Sequence, residues 1–329
     1  SVVPLVDLGL DNGALEGRVD VPSPGRAAVS AVCKACREVG FLYVIGHGVG
    51  KELVGEMVQE ARAFFAMPEE EKLRFARHRW REENAQRYRG YFPVEVHSGA
   101  TSIKEGIDVG PLWEGEEPPC TAGEGAHAIY REENVCLAGA PCLQAVLGRY
   151  YRAAARLGCF LMRCIALGLG LEEGHFDHLF AHTVSTLRLL HYPAVEEGSS
   201  TSLSELSCSE HTDSGIVTIL WQDSEGGLQV LDDGGQWKDV PPIDGTFVVN
   251  LGDLLSRWTG GALRATMHRV VRCKNERMSI PFFFEPSCDA RITPLPESAL
   301  PGQLMTFSEV VYGDWLWEKI RKEFDEFRE

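Results

Sequence analysis

The sequence has little positive charge and no long hydrophobic run. Its 329 residues carry 32 Lys and Arg against 48 Asp and Glu, which gives a formal net charge of −16. An acidic chain repels phosphate backbones, so we expect no nucleic-acid partner. No apolar stretch approaches the roughly 20 residues that a membrane-spanning helix needs, so we also expect no membrane association.

Other familiar signals are missing as well. The opening SVVPLVDLGL lacks a basic region and a signal-peptide pattern, so we expect a cytoplasmic protein. Separately, we expect a monomer or a weak oligomer. No convincing Ser-His-Asp or Cys-His arrangement points to nucleophilic catalysis. The one C-x-x-C, Cys33 and Cys36, falls within a helical pattern, where we expect reduced thiols that pack as small hydrophobic side chains.

The hydrophobic pattern of the sequence changes near residue 183. Before it, apolar residues recur with helical spacing, which predicts helices over 25–38, 51–66, 68–76 and 138–170, and a strand over 40–49. After it, short β-branched and aromatic runs alternate with Gly, Asp and Pro, as in a barrel or sandwich.

The charged helical pattern returns over 303–329. We interpret the chain as one α+β, mainly β catalytic unit in three segments. They are an α-rich region (1–182), a β core (183–290) and a C-terminal segment with a helix (291–329).

A candidate metal site lies in the stretch SEHTDSGIVTILWQ. His211 and Asp213 are two residues apart, so in extended backbone both side chains point to the same face. His268, in ATMHRVV, is flanked by β-forming residues and is the candidate third ligand. Two imidazoles and one carboxylate leave three positions of an octahedron open, as in non-haem Fe(II) oxygenases.

A competing histidine cluster is HFDHLFAH. His178 and His182 have the i, i+4 spacing of a zinc site on a helix. The segment has a mixed face and no third ligand on a nearby strand, so we favour a surface helix or turn there.

A second pair of residues strengthens the metal-site prediction. Arg277 and Ser279, in NERMSIPFFFEP, are again two residues apart on a predicted strand. A guanidinium and a hydroxyl on one inward face can bind a carboxylate through charged hydrogen bonds. Because an unpaired buried arginine is costly, an inward Arg277 implies an anionic ligand.

At these motifs the sequence resembles the Fe(II)/2-oxoglutarate-dependent dioxygenases, in the branch that includes isopenicillin N synthase. VPLVDLG and CREVGFLYVIGHGV are similar to the family's N-terminal opening, and RGYFP and KEGIDVG to its middle segment. HTDSGIVTILWQD, GGLQVL, VVNLGDLLSRWTGG, HRVV and RMSIPFFFEP follow in the order of the family's core. Each motif alone is weak, but the ordered set is specific and covers nearly the whole chain.

The resemblance implies a double-stranded β-helix, or jelly-roll, core with flanking N-terminal helices and a C-terminal helix. It implies Fe(II) held by His211, Asp213 and His268. It also implies 2-oxoglutarate as co-substrate, bound through Arg277 and Ser279, with Tyr192 on the same carboxylate, and O2 as oxidant.

The implied reaction is hydroxylation, desaturation or cyclisation of a small molecule, with release of succinate and CO2. In one respect the chain departs from the family, because Leu190 replaces the asparagine of the usual Asn-x-Tyr-x-Pro arrangement.

The resemblance implies that substrate-contacting residues come from the loops before the core and from the C-terminal helix. The candidates are Arg87, Tyr88, Tyr91, Lys104, Trp258 and Phe283. Arginine and tyrosine near the mouth of a pocket would suit a carboxylate-bearing small molecule.

Three alternatives remain open. The first is a 2-oxoglutarate-independent Fe(II) oxidase like isopenicillin N synthase, in which the Arg-x-Ser pair grips the substrate. The second is an ethylene-forming type of enzyme. The third is a non-catalytic, metal-binding jelly roll, against which the open coordination positions argue.

Overall fold

Two facing β-sheets form the centre of the protein. The computed structural model describes residues 3–17, 20–94, 103–111, 130–194, 206–300 and 307–323. In these ranges the strands are β1 Leu5–Leu10, β2 Phe41–His47, β3 Gly90–Phe92, β4 Glu105–Val109, β5 Thr186–Tyr192, β6 Leu206–His211, β7 Val217–Gln222, β8 Leu228–Leu231, β9 Trp237–Asp239, β10 Phe247–Leu251, β11 His268–Val271, β12 Arg277–Phe284, β13 Arg291–Ile292 and β14 Val310–Val311.

The larger sheet has the order β1-β2-β10-β7-β12-β5-β4-β3, and the smaller has the order β6-β11-β8-β9. Apolar side chains from both sheets meet in one buried cluster, which includes Tyr43, Leu190, Val230, Val248 and Val270. This two-sheet arrangement confirms the predicted jelly-roll class. Side chains that point between the two sheets therefore lie in a largely apolar environment.

The helices are α1 Arg26–Glu38, α2 Lys51–Phe65, α3 Glu69–Lys72, α4 Pro141–Gly168, α5 Asp253–Trp258 and α6 Tyr312–Glu323. The first four match the predicted helices closely, except that the helix predicted over 68–76 is α3 followed by a 3-10 turn, Leu73–Phe75. Helix α4 lies against the outer face of β12, where a Cβ on Gly158 would come 2.4 Å from the Phe284 ring. Glycine at 158 is therefore required for this close packing.

The C-terminal helix is shorter at its start than the pattern predicted. Residues 307–311 form a loop and β14, because Val310–Val311 pairs with β13. Residues 303–306 and 324–329, which were also expected to be helical, lie outside the described ranges. No helix among the described residues is both long and apolar enough to cross a bilayer.

The N-terminal segment contributes directly to the core. Strands β1 to β4, all from residues 1–182, occupy the two edges of the larger sheet. Residue 182 is therefore not a boundary between separate sheets. The three-segment division at residues 182 and 290 stays a prediction.

The register of β12 positions the site. Ser279 is paired with Leu190 of β5 and with Gln222 of β7, while Phe283 is paired with Thr186 and Thr218. Because alternate residues share a face, Arg277, Ser279 and Phe283 form one row along the strand.

Candidate metal centre and active-site cavity

His211, Asp213 and His268 come together at one point between the sheets. His211 ends β6 and lies directly opposite His268, the first residue of β11. Asp213 follows two residues later, just beyond the strand, and its Oδ1 lies 3.7 Å from the Nε2 atom of each imidazole. One ligand atom from each residue lies within 4.8 Å of the other two. No second cluster of this kind occurs among the described residues, and His178 lies in a short 3-10 turn.

The polar atoms that point away from the centre are hydrogen-bonded to the rest of the protein, which leaves one ligand atom of each side chain directed at the centre. His211 Nδ1 donates to the Ser209 carbonyl oxygen at 2.8 Å, and His268 Nδ1 lies 3.1 Å from the Thr266 carbonyl oxygen. With a proton on each Nδ1, the Nε2 atoms face the centre, and metal binding must displace any proton that His211 Nε2 carries.

The outer oxygen of Asp213 is also engaged. Its Oδ2 accepts hydrogen bonds from Thr218 Oγ1 at 2.5 Å and from Asn250 Nδ2 at 2.6 Å. The carboxylate therefore presents Oδ1 to the two imidazoles, and the donor set suits a divalent transition metal such as iron.

The electrostatics favour a cation at this point. Burial raises the pKa of Asp213, but the two imidazoles and the two hydrogen bonds outweigh it, and the pKa is lowered overall. Burial lowers the pKa of His268, which keeps that ring neutral. Burial also lowers the pKa of His211, but hydrogen bonding to Cys208 and the charges of Cys208 and Asp213 prevail, and the pKa rises to about 9.

A second polar group, around Arg277, lies deeper between the sheets. The Arg277 side chain is 1% exposed, its Nε donates to the Gly226 carbonyl oxygen at 2.6 Å, and its Nη1 donates to Ser279 Oγ at 3.1 Å. Its guanidinium carbon lies 4.7 Å from the centre of the Tyr192 ring. Arg277 forms no ion pair within the described ranges, so a buried positive charge there is without a protein counter-ion. A dicarboxylate such as 2-oxoglutarate fits that requirement.

Leu190 replaces the family asparagine without polar compensation nearby. It is 6% exposed and packs in the apolar cluster that includes Tyr192 and Leu228. The adjacent His191 faces away from this cluster, with Nδ1 2.7 Å from Glu105 Oε1 and its ring stacked on Phe65. The cradle around Arg277 is therefore more apolar than the family motif would make it.

A cavity of about 390 Å³ opens beside the three-residue centre. Its lining includes His211 and Asp213, whereas Arg277 and Ser279 are not part of it. The cavity therefore reaches the centre but not the Arg277 end. Leu316 and Ile320 of α6 and Phe283 of β12 supply its apolar wall.

Three of the six predicted substrate residues line this cavity, namely Tyr88, Lys104 and Phe283. The other three lie elsewhere. Arg87 is exposed, Tyr91 donates its hydroxyl to Glu105 at 2.5 Å, and Trp258 donates its indole N–H to the Thr293 carbonyl oxygen at 2.7 Å. Their proposed contacts with substrate stay predictions that the cavity does not support.

The cavity also contains charged residues that sequence reasoning missed. They are Arg77, Arg89, Asp108, Arg188 and Glu285. Arg188 donates to both carboxylate oxygens of Asp108, at 2.6 and 2.8 Å, and Arg77 donates to Asp108 at 2.5 Å. A signal was present in strand alternation, because Arg188 and Glu285 continue the inward rows of β5 and β12.

The fold and this donor set together define a class of protein, the iron-dependent oxygenases with a jelly-roll core. The family model for the 2OG-Fe(II) oxygenase superfamily matches residues 183–286. The model for the N-terminal region of non-haem dioxygenases in morphine synthesis matches residues 3–130.

Individual relatives agree with this class. A 2-oxoglutarate-Fe(II) type oxidoreductase of Emericella nidulans is 33% identical over 87% of this chain and 82% of its own length. A homoarginine-6-hydroxylase of Oryza sativa subsp. japonica is 30% identical over 98% of this chain and 97% of its own. A Neurospora crassa protein, crystallised in complex with alpha-KG and thymine, is 27% identical, with a TM-score of 0.77 over 98% of this chain and 97% of that one.

The chain belongs to the 2OG-Fe(II) oxygenase superfamily. It is an oxidoreductase of the Fe(II)/2-oxoglutarate-dependent dioxygenase class, and its cofactor requirements are Fe(II), 2-oxoglutarate and O2.

Proposed function

We propose that His211, Asp213 and His268 hold Fe(II), and that Arg277, Ser279 and Tyr192 bind 2-oxoglutarate, while a small molecule is oxidised in the adjacent cavity. The observation that carries this proposal is the convergence of the three ligand atoms within 4.8 Å, with the other polar atoms of the same side chains already hydrogen-bonded. A chance cluster of polar side chains has no reason to be oriented in this way.

The bound iron, with 2-oxoglutarate and O2, would supply C–H oxidation coupled to release of succinate and CO2. The protein's own contribution is orientation and exclusion of water. Arg277, held by Gly226 and Ser279, fixes one end of the co-substrate through a charged pair in an apolar environment. Thr218 and Asn250 fix the carboxylate of Asp213, so that its Oδ1 keeps one direction.

We infer that the primary substrate carries an anionic group, bound near Lys104 and Arg188. Both side chains line the cavity, and Lys104 Nζ lies 3.3 Å from Cys208 Sγ, on the same strand as His211. The relatives are named for, or crystallised with, small molecules, homoarginine and thymine among them. A cavity of about 390 Å³ suits a compound of that size class.

We further propose that residues 1–182, 183–290 and 291–329 act as one catalytic unit, because β4, β5 and α6 all contribute to the same cavity. The net charge of −16 supports the absence of a nucleic-acid partner. The cytoplasmic location and a monomeric or weakly oligomeric state stay predictions.

The test combines metal binding with co-substrate turnover. Anaerobic titration should show one Fe(II) bound per chain, and addition of 2-oxoglutarate and air should yield succinate. His268→Ala should lose Fe(II) binding and, with it, succinate formation, because one of three ligands is missing. His175→Ala, which changes a histidine outside the cavity, should preserve both. Retained iron affinity in His268→Ala would refute the assignment.

A further inference from the structure

The cavity has a second polar end, formed around Gly215 by residues from distant parts of the chain. Glu285 and Tyr130 both line the cavity, and they are 7% and 5% exposed. A Cβ built on Gly215 would lie 3.2 Å from Glu285 Oε1 and 3.5 Å from the Tyr312 hydroxyl. The Glu285 carboxyl group and the Tyr312 hydroxyl thus meet next to the segment that carries Asp213, and burial, with a contribution from the charge of Glu285, raises the pKa of Tyr130.

Glu285 has no ion pair among the described residues, whereas the cations that line the cavity have partners of their own. Arg77 and Arg188 are bound to Asp108, and Arg89 donates to the Tyr130 and Glu132 carbonyl oxygens. Burial therefore raises the pKa of Glu285 to about 8, against a lowering by the Tyr312 hydroxyl. A buried carboxyl group without a counter-ion is costly when ionised, and a cationic ligand would remove that cost.

Tyr130 provides an independent indication of a ligand at this end. Its hydroxyl is buried and has no hydrogen-bond partner within the described part of the chain. An unsatisfied buried hydroxyl costs about 1–3 kcal/mol, so such groups are rare unless something else binds them. Tyr130 also lines the cavity, so its side chain borders the space that a ligand would occupy.

We propose that Glu285 and Tyr130 form a subsite for a cationic nitrogen group, an ammonium or a guanidinium, of the primary substrate. This inference rests on the proposed function, since it concerns the same cavity. The carboxylate would accept charged hydrogen bonds from the nitrogen group, and the phenol oxygen would accept one more. Together with an anionic group near Arg188 and Lys104, this subsite implies a bipolar substrate.

Two small isosteric probes test the subsite without knowledge of the substrate. Methylguanidinium and methylurea have nearly the same shape, but only the first is charged. Their methyl protons allow ligand-observed NMR titration of the Fe(II)- and 2-oxoglutarate-loaded enzyme under anaerobic conditions. Wild-type enzyme should bind methylguanidinium at least about tenfold more tightly than methylurea, as a charged hydrogen-bonded pair requires.

Glu285→Gln keeps the size of the side chain and removes its charge, so the preference for methylguanidinium should fall to about one. Glu297→Gln makes the same chemical change at an exposed position and should keep the wild-type preference. The proposal is overturned if wild-type enzyme binds methylguanidinium no better than methylurea, or if Glu285→Gln retains the preference.

Tyr130→Phe gives a second, independent variant. Loss of an unpartnered hydroxyl should not destabilise the fold, whereas affinity for methylguanidinium should fall by about threefold or more. An unchanged affinity contradicts the subsite even if Glu285→Gln does not fold. Succinate formation from 2-oxoglutarate is measured separately, so failure of the oxygenase assignment can be told apart from failure of the subsite.

Discussion

The two ends of the site differ in how their charges are balanced. At the co-substrate end, Arg277 is buried among apolar side chains and has no ion pair in the described ranges. At the substrate end, Asp108 is bound by Arg77 and Arg188. On the same strand as Asp108, but outside the cavity lining, Glu105 accepts hydrogen bonds from Lys72 at 2.6 Å and Tyr91 at 2.5 Å.

This difference separates a binding function from a structural one. A buried charge without a protein partner is paired only when its ligand arrives, so in the unliganded protein the cost of burying Arg277 is offset only by its hydrogen bonds to Gly226 and Ser279. A buried charge that is paired inside the chain is part of the folded structure. Removal of one partner leaves the other as an uncompensated buried charge, which destabilises the fold. The following experiments test whether the two ends behave as differently as their contacts indicate.

The largest expected effect is on stability at the substrate end. Asp108→Asn removes the charge that two arginines share, and we expect the free energy of unfolding to fall by about 3 kcal/mol. Urea unfolding monitored by circular dichroism measures this change. Asp244→Asn, at an exposed position, is the matched control and should change stability by less than about 0.5 kcal/mol. Equal stability of the two variants would show that the Asp108 pairs are not structural.

The co-substrate end should respond in the opposite way. Arg277→Met replaces the charge with an apolar chain, and the apparent KM for 2-oxoglutarate should rise by about a hundredfold. Its stability without 2-oxoglutarate should change by less than about 1 kcal/mol, because no protein ion pair is lost. Steady-state succinate assays and urea unfolding measure the two quantities. An unchanged KM would favour the 2-oxoglutarate-independent alternative.

A partly buried histidine outside both ends should make the protein sensitive to acid. His47 Nδ1 accepts a hydrogen bond from the Val49 N–H at 3.2 Å, and burial lowers the pKa of His47 to about 4. Between pH 6.5 and 4 the unfolded chain binds a proton at this site that the folded chain does not bind. Stability contributed by His47 is therefore present above pH 6.5 and is lost as the pH falls, by about 2 kcal/mol at pH 5.

Urea unfolding at pH 7.5 and pH 5 measures this loss. His47→Gln should show a smaller drop in stability between the two pH values than wild type does. The same drop in both proteins would assign the acid sensitivity to other groups.

The smallest expected effect concerns the support of Asp213. Thr218→Val preserves the shape of the side chain and removes the hydroxyl that donates to Asp213 Oδ2, while the bond from Asn250 remains. We expect the dissociation constant for Fe(II) to rise by about tenfold. Anaerobic metal titration measures it. The control is Thr246→Val, which removes a hydroxyl that donates to a backbone carbonyl in a turn outside the cavity. An unchanged constant in Thr218→Val would mean that Asn250 alone orients the carboxylate.

Much of the architecture could be predicted because it follows from local periodicity. The helical spacing in residues 25–38 and 51–66 predicted α1 and α2 nearly to the residue, and the alternation of β12 predicted that Phe283 shares a face with Arg277. The start of the C-terminal helix was wrong because Val310–Val311 pairs with β13, and such a long-range contact leaves no local signal.

The substrate end was harder to predict for the same reason. Tyr91 lies on β3 and Lys104 directly precedes the neighbouring β4, yet the Tyr91 hydroxyl donates to Glu105 while Lys104 lines the cavity. Which face of a short strand is inward depends on its register with β5, and the sequence of β3 or β4 alone does not specify it.

The sequence by itself determined the chemistry of the centre, because the Arg-x-Ser spacing puts two like-facing side chains on β12, and the His-x-Asp spacing places a carboxylate two residues past the histidine that ends β6. Only the tertiary structure decided which residues surround these side chains. Strand pairing joined His268 to His211 and left Arg277 without an ion pair in the described ranges, and the fold brought Glu285 and Tyr130 to one cavity. Those relations join residues tens to more than a hundred and fifty positions apart, and only the packing of the two sheets brings them within reach.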